Sequence, residues 1–135
     1  MYSNILVPIA LDSEDDRTSQ AIKVAKKLAD DGARLTLMHV IEAIPSYAIS
    51  YIASDVLADT RKGIVTEMNR LAAEAGAEAK VIDGHSGRTI LDYAEEHNPD
   101  LIVMASHRPG MQTLLLGSTA THVVRHAQCA VHVLR

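Results

Sequence analysis

Short apolar runs alternate with longer stretches of helical periodicity from one end of this chain to the other, and that alternation restricts the fold more than any other feature. The first strand is predicted over Ser3 to Ile9, with Pro8 near its end. An acidic run, Leu11-Asp12-Ser13-Glu14-Asp15-Asp16, leads into a helix through Ile22, Ala25 and Leu28 that stops near Gly32. Leu35 to Ile41 is the second strand, and a longer connection from Glu42 to Ala53 carries Pro45, Tyr47 and Tyr51. A long amphipathic helix follows, placing Val56, Ile64, Met68 and Leu71 on its buried face, and ends at Gly76. Ala77 to Ile82 is the third strand. Ser86 or Gly87 opens a helix through Ile90, Leu91 and Ala94, and Leu101 to Ala105 is the fourth strand. A last helix runs from Ser118 to about Ala127, and Ala130 to Leu134 is a fifth strand.

This β-α-β-α-β-α-β-α-β order predicts a parallel sheet with helices on both faces and right-handed crossovers. With the first strand central, the order 3-2-1-4-5 opens a crevice between strands one and four, beyond their carboxyl ends. A chain of 135 residues makes one domain over 1–135 and buries enough surface for a single core. Phe and Trp are absent, so that core is built from Val, Ile, Leu, Ala and Met. No apolar run approaches the ~20 residues of a membrane helix, and no signal peptide is visible. A lone cysteine, Cys129, excludes an internal disulfide; it fits a reducing, cytoplasmic location and a small core residue. A formal charge of −4 and the lack of stacking aromatics argue against nucleic acid as a partner.

Chemistry concentrates in the last third. The strand Leu101 to Ala105 runs into Ser106-His107-Arg108-Pro109-Gly110, and Gly117-Ser118-Thr119 then opens a helix. Ser118 is placed to cap the first amides, and a helix N-terminus with free N–H groups is a natural anion site. The competing reading is a plain helix cap. Neither G-x-x-x-x-G-K-[ST] nor G-x-G-x-x-G is present, and Gly84-His85-Ser86-Gly87 reads as a turn and helix start rather than a ligand loop. A receiver-like domain would need a lysine after the fifth strand, where only Arg135 stands. His122 and His126 have the spacing of a zinc pair, but a core face of Ala120, Val123, Val124 and Ala127 turns both outward, beside Arg125. Tyr47 and Tyr51 either cover a ligand or contact a second subunit.

Over the whole chain these pieces resemble the universal stress protein family. The resemblance rests on Tyr2-Ser3-Asn4-Ile5-Leu6-Val7-Pro8, on Leu37-Met38-His39-Val40, on Asp100 through His107, and on Leu116-Gly117-Ser118 through Val131-His132-Val133-Leu134. It implies an adenine nucleotide alpha hydrolase-like arrangement. Nucleotide-binding members carry G-x2-G-x9-G-[ST] after strand four, and members of the other large branch do not bind ATP. Here Ala105 and Arg108 stand at the first two glycines, eight residues separate Arg108 from Gly117, and Gly117-Ser118 is intact. The Ser106-His107-Arg108-Pro109 loop looks like that of a variant subgroup counted with the nucleotide binders. Ala105 is small enough for a ribose to approach, and Gly110 restores the backbone freedom lost at Arg108.

After strand one, Ala10 stands where the family often has an aspartate. Asp12 takes over that contact if the loop bends; otherwise Asp12 to Asp16 cap the first helix. The resemblance further implies phosphate contacts from Arg108, Gly117, Ser118 and Thr119, and burial of a base by Pro8, Ile9 and the backbone around Val40. His107 either meets ribose or phosphate or is a plain loop residue. The implied ligand is ATP, with or without Mg²⁺. The implied role is a nucleotide-dependent sensing module in the stress response, homodimeric through the open apolar edge of the terminal strand, with an unidentified protein partner. Two alternatives stand beside it: a dimeric interaction module that binds no nucleotide, and a slow ATPase or self-phosphorylating protein. The loop from Ser106 to Ser118 offers neither acid nor lysine for phosphoryl transfer.

Overall fold

The computed structural model describes residues 1–11, 16–106 and 116–135. The two apolar runs nearest the C-terminus form strands with the predicted bounds, Leu101–Ala105 (β4) and Ala130–Leu134 (β5). The remaining strands are β1 (Tyr2–Pro8), β2 (Ala29–Ile41) and β3 (Glu78–Asp83). The helices are α1 (Arg17–Leu28), a single turn α2 (Ser46–Ile49), α3 (Ser54–Ala75), α4 (Ser86–His97) and α5 (Ser118–His126). All strands pair in parallel in the order β3-β2-β1-β4-β5, with Leu6 opposite Thr36 on one side and Ile102 on the other.

β1 is central because it is apolar on both faces. Ile5 and Val7 join Ala21, Ala25, Met68 and Ala72 in the layer under α1 and α3. Leu6 joins Ile90, Tyr93, Ala120 and Val123 in the layer under α4 and α5. This two-sided burial is why the strands read as unbroken apolar runs.

Three expectations need correction. α1 ends at Leu28, and β2 begins at once with Ala29 rather than at Leu35. Gly32 is not a helix stop. Its φ of 77° serves a bulge in β2, where the register slips between Tyr2 opposite Ala29 and Asn4 opposite Arg34. Val56, expected on the buried face of α3, is 53% exposed, whereas Met68 and Ala72 are buried. The cause is length: 22 residues of helix span ~33 Å, and a six-residue strand only ~20 Å. The surplus is the N-terminal half of α3, which lies beyond the sheet. Its other end stops as predicted at Gly76, left-handed at φ 68°, with the Ala77 amide donating to Ala72 at 2.8 Å. Finally, Asp16 occupies the N-cap position of α1 without capping it; its carboxylate accepts from Gln20 Nε2 at 3.2 Å.

Asp100 fixes the start of β4 to β1. Its carboxylate accepts from the amides of Ser3 and Asn4 at 2.9 and 3.0 Å and from the Ser3 hydroxyl at 3.1 Å. Burial pushes the acid upward, but these donors together outweigh it and hold the carboxyl below its ordinary range. A depressed carboxyl stabilises the fold above the ordinary carboxylate range and loses that contribution as pH falls through its own lowered value. Asp100→Ala is expected to cost about 1–2 kcal/mol at neutral pH. Urea unfolding at neutral and strongly acidic pH checks this: the gap between variant and wild type closes in acid. Among the described residues, no helix is long and apolar enough to cross a membrane.

Candidate functional site

In a parallel sheet the chain leaves every strand at the same edge and returns as a helix whose N-terminus faces that edge. Here the edge is hollow. A cavity of about 330 Å³ lies beyond the carboxyl ends of β1, β2 and β4 on the side covered by α4 and α5. Pro8, Ile9 and Ala10 line it from the end of β1, and Met38, Val40 and Glu42 from β2 and the residues after it. Ala105 and Ser106 close the β4 side, and Gly117, Ser118 and Thr119 form the wall at the start of α5. Every expected site residue that the structure describes lines this one cavity. Asp12, His107, Arg108 and Gly110 lie outside the described residues.

Main-chain hydrogen bonds hold the walls. The Ile9 amide donates to Met38 at 2.7 Å, and His39 Nδ1 stands 2.7 Å from the Ile9 carbonyl, which accepts from it. The Ser106 amide donates to Leu134 at 2.7 Å, and the Gly117 amide to Ser106 at 2.6 Å. That second bond draws the start of α5 against the end of β4.

The cap of α5 differs from expectation. Ser118 is the first helical residue and the N-cap is Gly117, so no side chain caps the helix. The first main-chain bond runs from Thr121 to Gly117 at 2.9 Å. Among the described residues, the amides of Ser118, Thr119 and Ala120 meet no main-chain acceptor. Gly117 has φ −63° and ψ 161°, values open to any residue, and it is buried. What glycine contributes here is the absence of a side chain beside these three amides. Three N–H groups at the positive end of a helix dipole can hold an anionic oxygen cluster. Pro8, Ile9, Met38, Val40, Ile90 and Met104 give the rest of the cavity an apolar lining. One small site therefore offers an anion-binding end and an apolar end.

Among the lining residues that escaped the sequence reading are Ser86 and Glu42. Ser86 opens α4 and Glu42 follows β2, and the Ser86 hydroxyl donates to the Glu42 carboxylate. The G-x-x-G segment is a turn, as expected, with Gly84 at φ 153° and its amide bonded to Ile41 at 3.0 Å. That turn also delivers Ser86 to the cavity. The signal was present in the strand–turn–helix order, since each helix start after a strand faces the same edge.

On α5, His126 is exposed as expected, but His122 is half-buried. His122 packs on Gly87 of α4, where an added Cβ would stand 2.8 Å from the imidazole Cδ2. Because α4 approaches on the His122 side, Val124 on the far side of the apolar stripe is left 45% exposed. The His122 and His126 rings lie 4.8 Å apart, and among the described residues no group of three or more His, Cys, Asp or Glu side chains is placed to hold a metal ion. Cys129 is half-buried rather than a full core residue, and burial pushes its thiol up, which keeps it protonated and unreactive at neutral pH. A larger groove, about 510 Å³, runs between α1 and α3, but its Arg70 is already paired with Glu67 and Glu74 at 2.5 and 2.8 Å.

Comparison with known proteins bears on this geometry. The model of the universal stress protein family matches residues 1–135. Universal stress protein A homolog 2 of Coxiella burnetii is 34% identical over 144 residues, covering 99% of this chain and 95% of the relative. Among solved structures, universal stress protein UspA from Lactobacillus plantarum is similar at TM-score 0.73 and 30% identity, over 99% of this chain and 98% of its own. A universal stress protein in complex with cAMP is similar in fold, with TM-score 0.65 and 24% identity over 99% and 97% of the two chains. So is a family member from Arabidopsis thaliana with AMP bound, at TM-score 0.62 and 18% identity over 98% and 90%.

Proposed function

The chain belongs to the universal stress protein family, and we propose that it binds an adenine nucleotide, ATP, in the cavity at the carboxyl end of its sheet and acts as a nucleotide-dependent sensing module. The observation that carries this reading is the meeting of three amides at the start of α5, which among the described residues meet no main-chain acceptor, with an apolar hollow of nucleoside size. Relatives in fold with cAMP and AMP bound support the choice of an adenine nucleotide.

In this reading the phosphates rest on the amides of Ser118, Thr119 and Ala120, with Gly117 leaving room for them. Arg108, which stands two positions after Ser106 in sequence, is the charged partner assigned to the phosphates. A charge-assisted hydrogen bond contributes about 1.5–3 kcal/mol, and micromolar affinity needs about 8 kcal/mol after the cost of association. Burial of a base the size of an indole, ~200 Å² at ~25 cal/mol/Å², adds ~5 kcal/mol. Ile9, Val40 and Ile90 are the apolar surfaces for that burial, and the small side chain of Ala105 lets the sugar approach β4. Glu42 is the one carboxylate among the described lining residues, so Mg²⁺ in this reading is held chiefly by the triphosphate and water and neutralises part of its charge. β5 lies at an edge of the sheet, and we assign it the contact with a second copy.

Wild-type protein is expected to bind labelled ATP at micromolar concentration in equilibrium dialysis, and a native mass spectrum of purified protein is expected to carry a co-purified adenine nucleotide. Absence of both overturns the reading. It would instead favour a dimeric interaction module, for which the loss of two family glycines at Ala105 and Arg108 is the supporting observation.

A further inference from the structure

The connection between β2 and α3 carries apolar side chains that neither core layer uses. Six large apolar side chains are exposed among the described residues, and four of them, Tyr47, Ile49, Tyr51 and Val56, fall between positions 47 and 56. Single exposed apolar residues are ordinary, but such a cluster marks a contact surface. Tyr47 and Tyr51 stand out at 79% and 88% exposure, and they are half of the tyrosines in a chain that has no Phe or Trp.

Little holds this connection in its present place. The amides of Ala48 and Ile49 donate to Pro45, that of Tyr51 to Ala48 and that of Ile52 to Ile49, so these main-chain bonds close on the segment itself. α2 is one turn of four residues, too short for helical stability of its own. Both ends, by contrast, are fixed at the edge of the sheet where the cavity lies. Glu42 lines the cavity, and Arg61 in the overhanging half of α3 pairs with Asp83, the last residue of β3, at 2.6 Å. The segment is therefore a strap tethered at the ligand edge.

The site has a use for it. A volume of about 330 Å³ is close to the ~300 Å³ lower limit of ligand pockets, so the walls leave part of a nucleotide uncovered. Ile9, Val40 and Ile90 supply apolar surface for one face of a base, and no tyrosine is among the described lining residues. The opposite face of a planar base is well matched by a tyrosine ring, which stacks on any base. Tyr47 follows Glu42 by five residues, a length of chain that spans at most ~18 Å. It also lies seven positions before the start of α3 at Ser54, where Tyr51 lies only three, so Tyr47 is the ring with the freer tether.

We propose that residues 43–53 form a strap that closes over the occupied cavity and lays the Tyr47 ring on the uncovered face of the bound adenine. The proposal rests on the nucleotide reading above. Stacking recognises a planar base rather than a particular one, so the strap reads the presence of the base and not its identity.

The test measures ATP dissociation constants for the full chain as wild type, Tyr47→Ala and Tyr47→Phe. Beside them, chymotrypsin cleavage after Tyr47 and Tyr51 is followed in wild type with and without saturating ATP. Tyr47 is exposed and belongs to neither core layer, so both variants are expected to fold, as circular dichroism checks. Tyr47→Ala is expected to weaken ATP binding by about tenfold, the factor that loss of one base–aromatic stack gives. Tyr47→Phe keeps the ring and is expected to stay within about twofold of wild type. Saturating ATP is expected to slow cleavage of the wild-type strap by about fivefold or more, because the protease cuts the open form. Wild-type affinity in Tyr47→Ala, an equal loss in Tyr47→Phe, or cleavage that ATP does not slow overturns the strap and leaves nucleotide binding standing. Failure of wild type to bind ATP overturns both.

Discussion

Gly117→Val is expected to raise the dissociation constant for ATP by about a hundredfold or more, the loss of roughly two charge-assisted hydrogen bonds. The mechanism is occlusion. Gly117 has φ −63° and ψ 161°, an extended conformation that valine adopts without strain. Its amide keeps its bond to Ser106, and Thr121 keeps its bond to the Gly117 carbonyl. What changes is that a branched side chain enters a buried point in the wall of a cavity of about 330 Å³, beside the amides of Ser118 and Thr119. The smaller Gly117→Ala is expected to lose less affinity than the valine variant. Equilibrium binding of labelled ATP reads the effect, and a thermal melt within a few degrees of wild type shows that the fold survives. Wild-type affinity in Gly117→Val would remove the start of α5 from the ligand site.

The second large effect is on stability. Met68 is fully buried between α3 and the sheet, in the layer with Leu37, Val7 and Ala72. Met68→Ala is expected to cost about 3 kcal/mol, from lost transfer energy and the cavity left behind. For a chain of this length that is a fall of roughly 10 °C in melting temperature. Val56→Ala, on the same helix, is expected to cost no more than about 0.5 kcal/mol, because Val56 lies on the overhanging half and is 53% exposed. Urea denaturation of the two variants side by side is the check. Equal losses would mean that the N-terminal half of α3 is packed against something after all.

The same pair of residues shows how far the sequence could be read. Helical periodicity puts Val56 and Met68 in one apolar stripe, because periodicity reports direction around an axis and nothing about position along it. Only the length of the neighbouring strands decides where the stripe stops being covered. Gly76 and Gly32 make a similar contrast. Both have positive φ, and both look like helix ends in the sequence. Gly76 caps α3, while Gly32 serves a bulge set by pairing with β1, a partner remote in the chain. On α5, the stripe of Ala120 and Val123 was legible. The packing of His122 on Gly87 and the exposure of Val124 were not, since they depend on the side from which α4 approaches.

For the site, local chemistry marked the residues around the ends of β1 and β4 and the start of α5. Pro8, Ile9, Ala105, Ser106 and Gly117 to Thr119 all face one hollow. Glu42 and Ser86 were invisible as a pair. They stand 44 positions apart and meet because β2 and β3 are neighbours whose ends are tied by the bond from Gly84 to Ile41.

By itself, the order of apolar runs and helical stripes determined the parallel sheet, the central place of a strand apolar on both faces, and the edge where a ligand site can form. Those follow from periodicity and from the handedness of crossovers, which act along the chain. The tertiary structure alone decided which polar groups share the hollow, which helix faces are covered and where the bulge falls. Those depend on contacts between segments far apart in sequence, whose distances and angles no local pattern encodes.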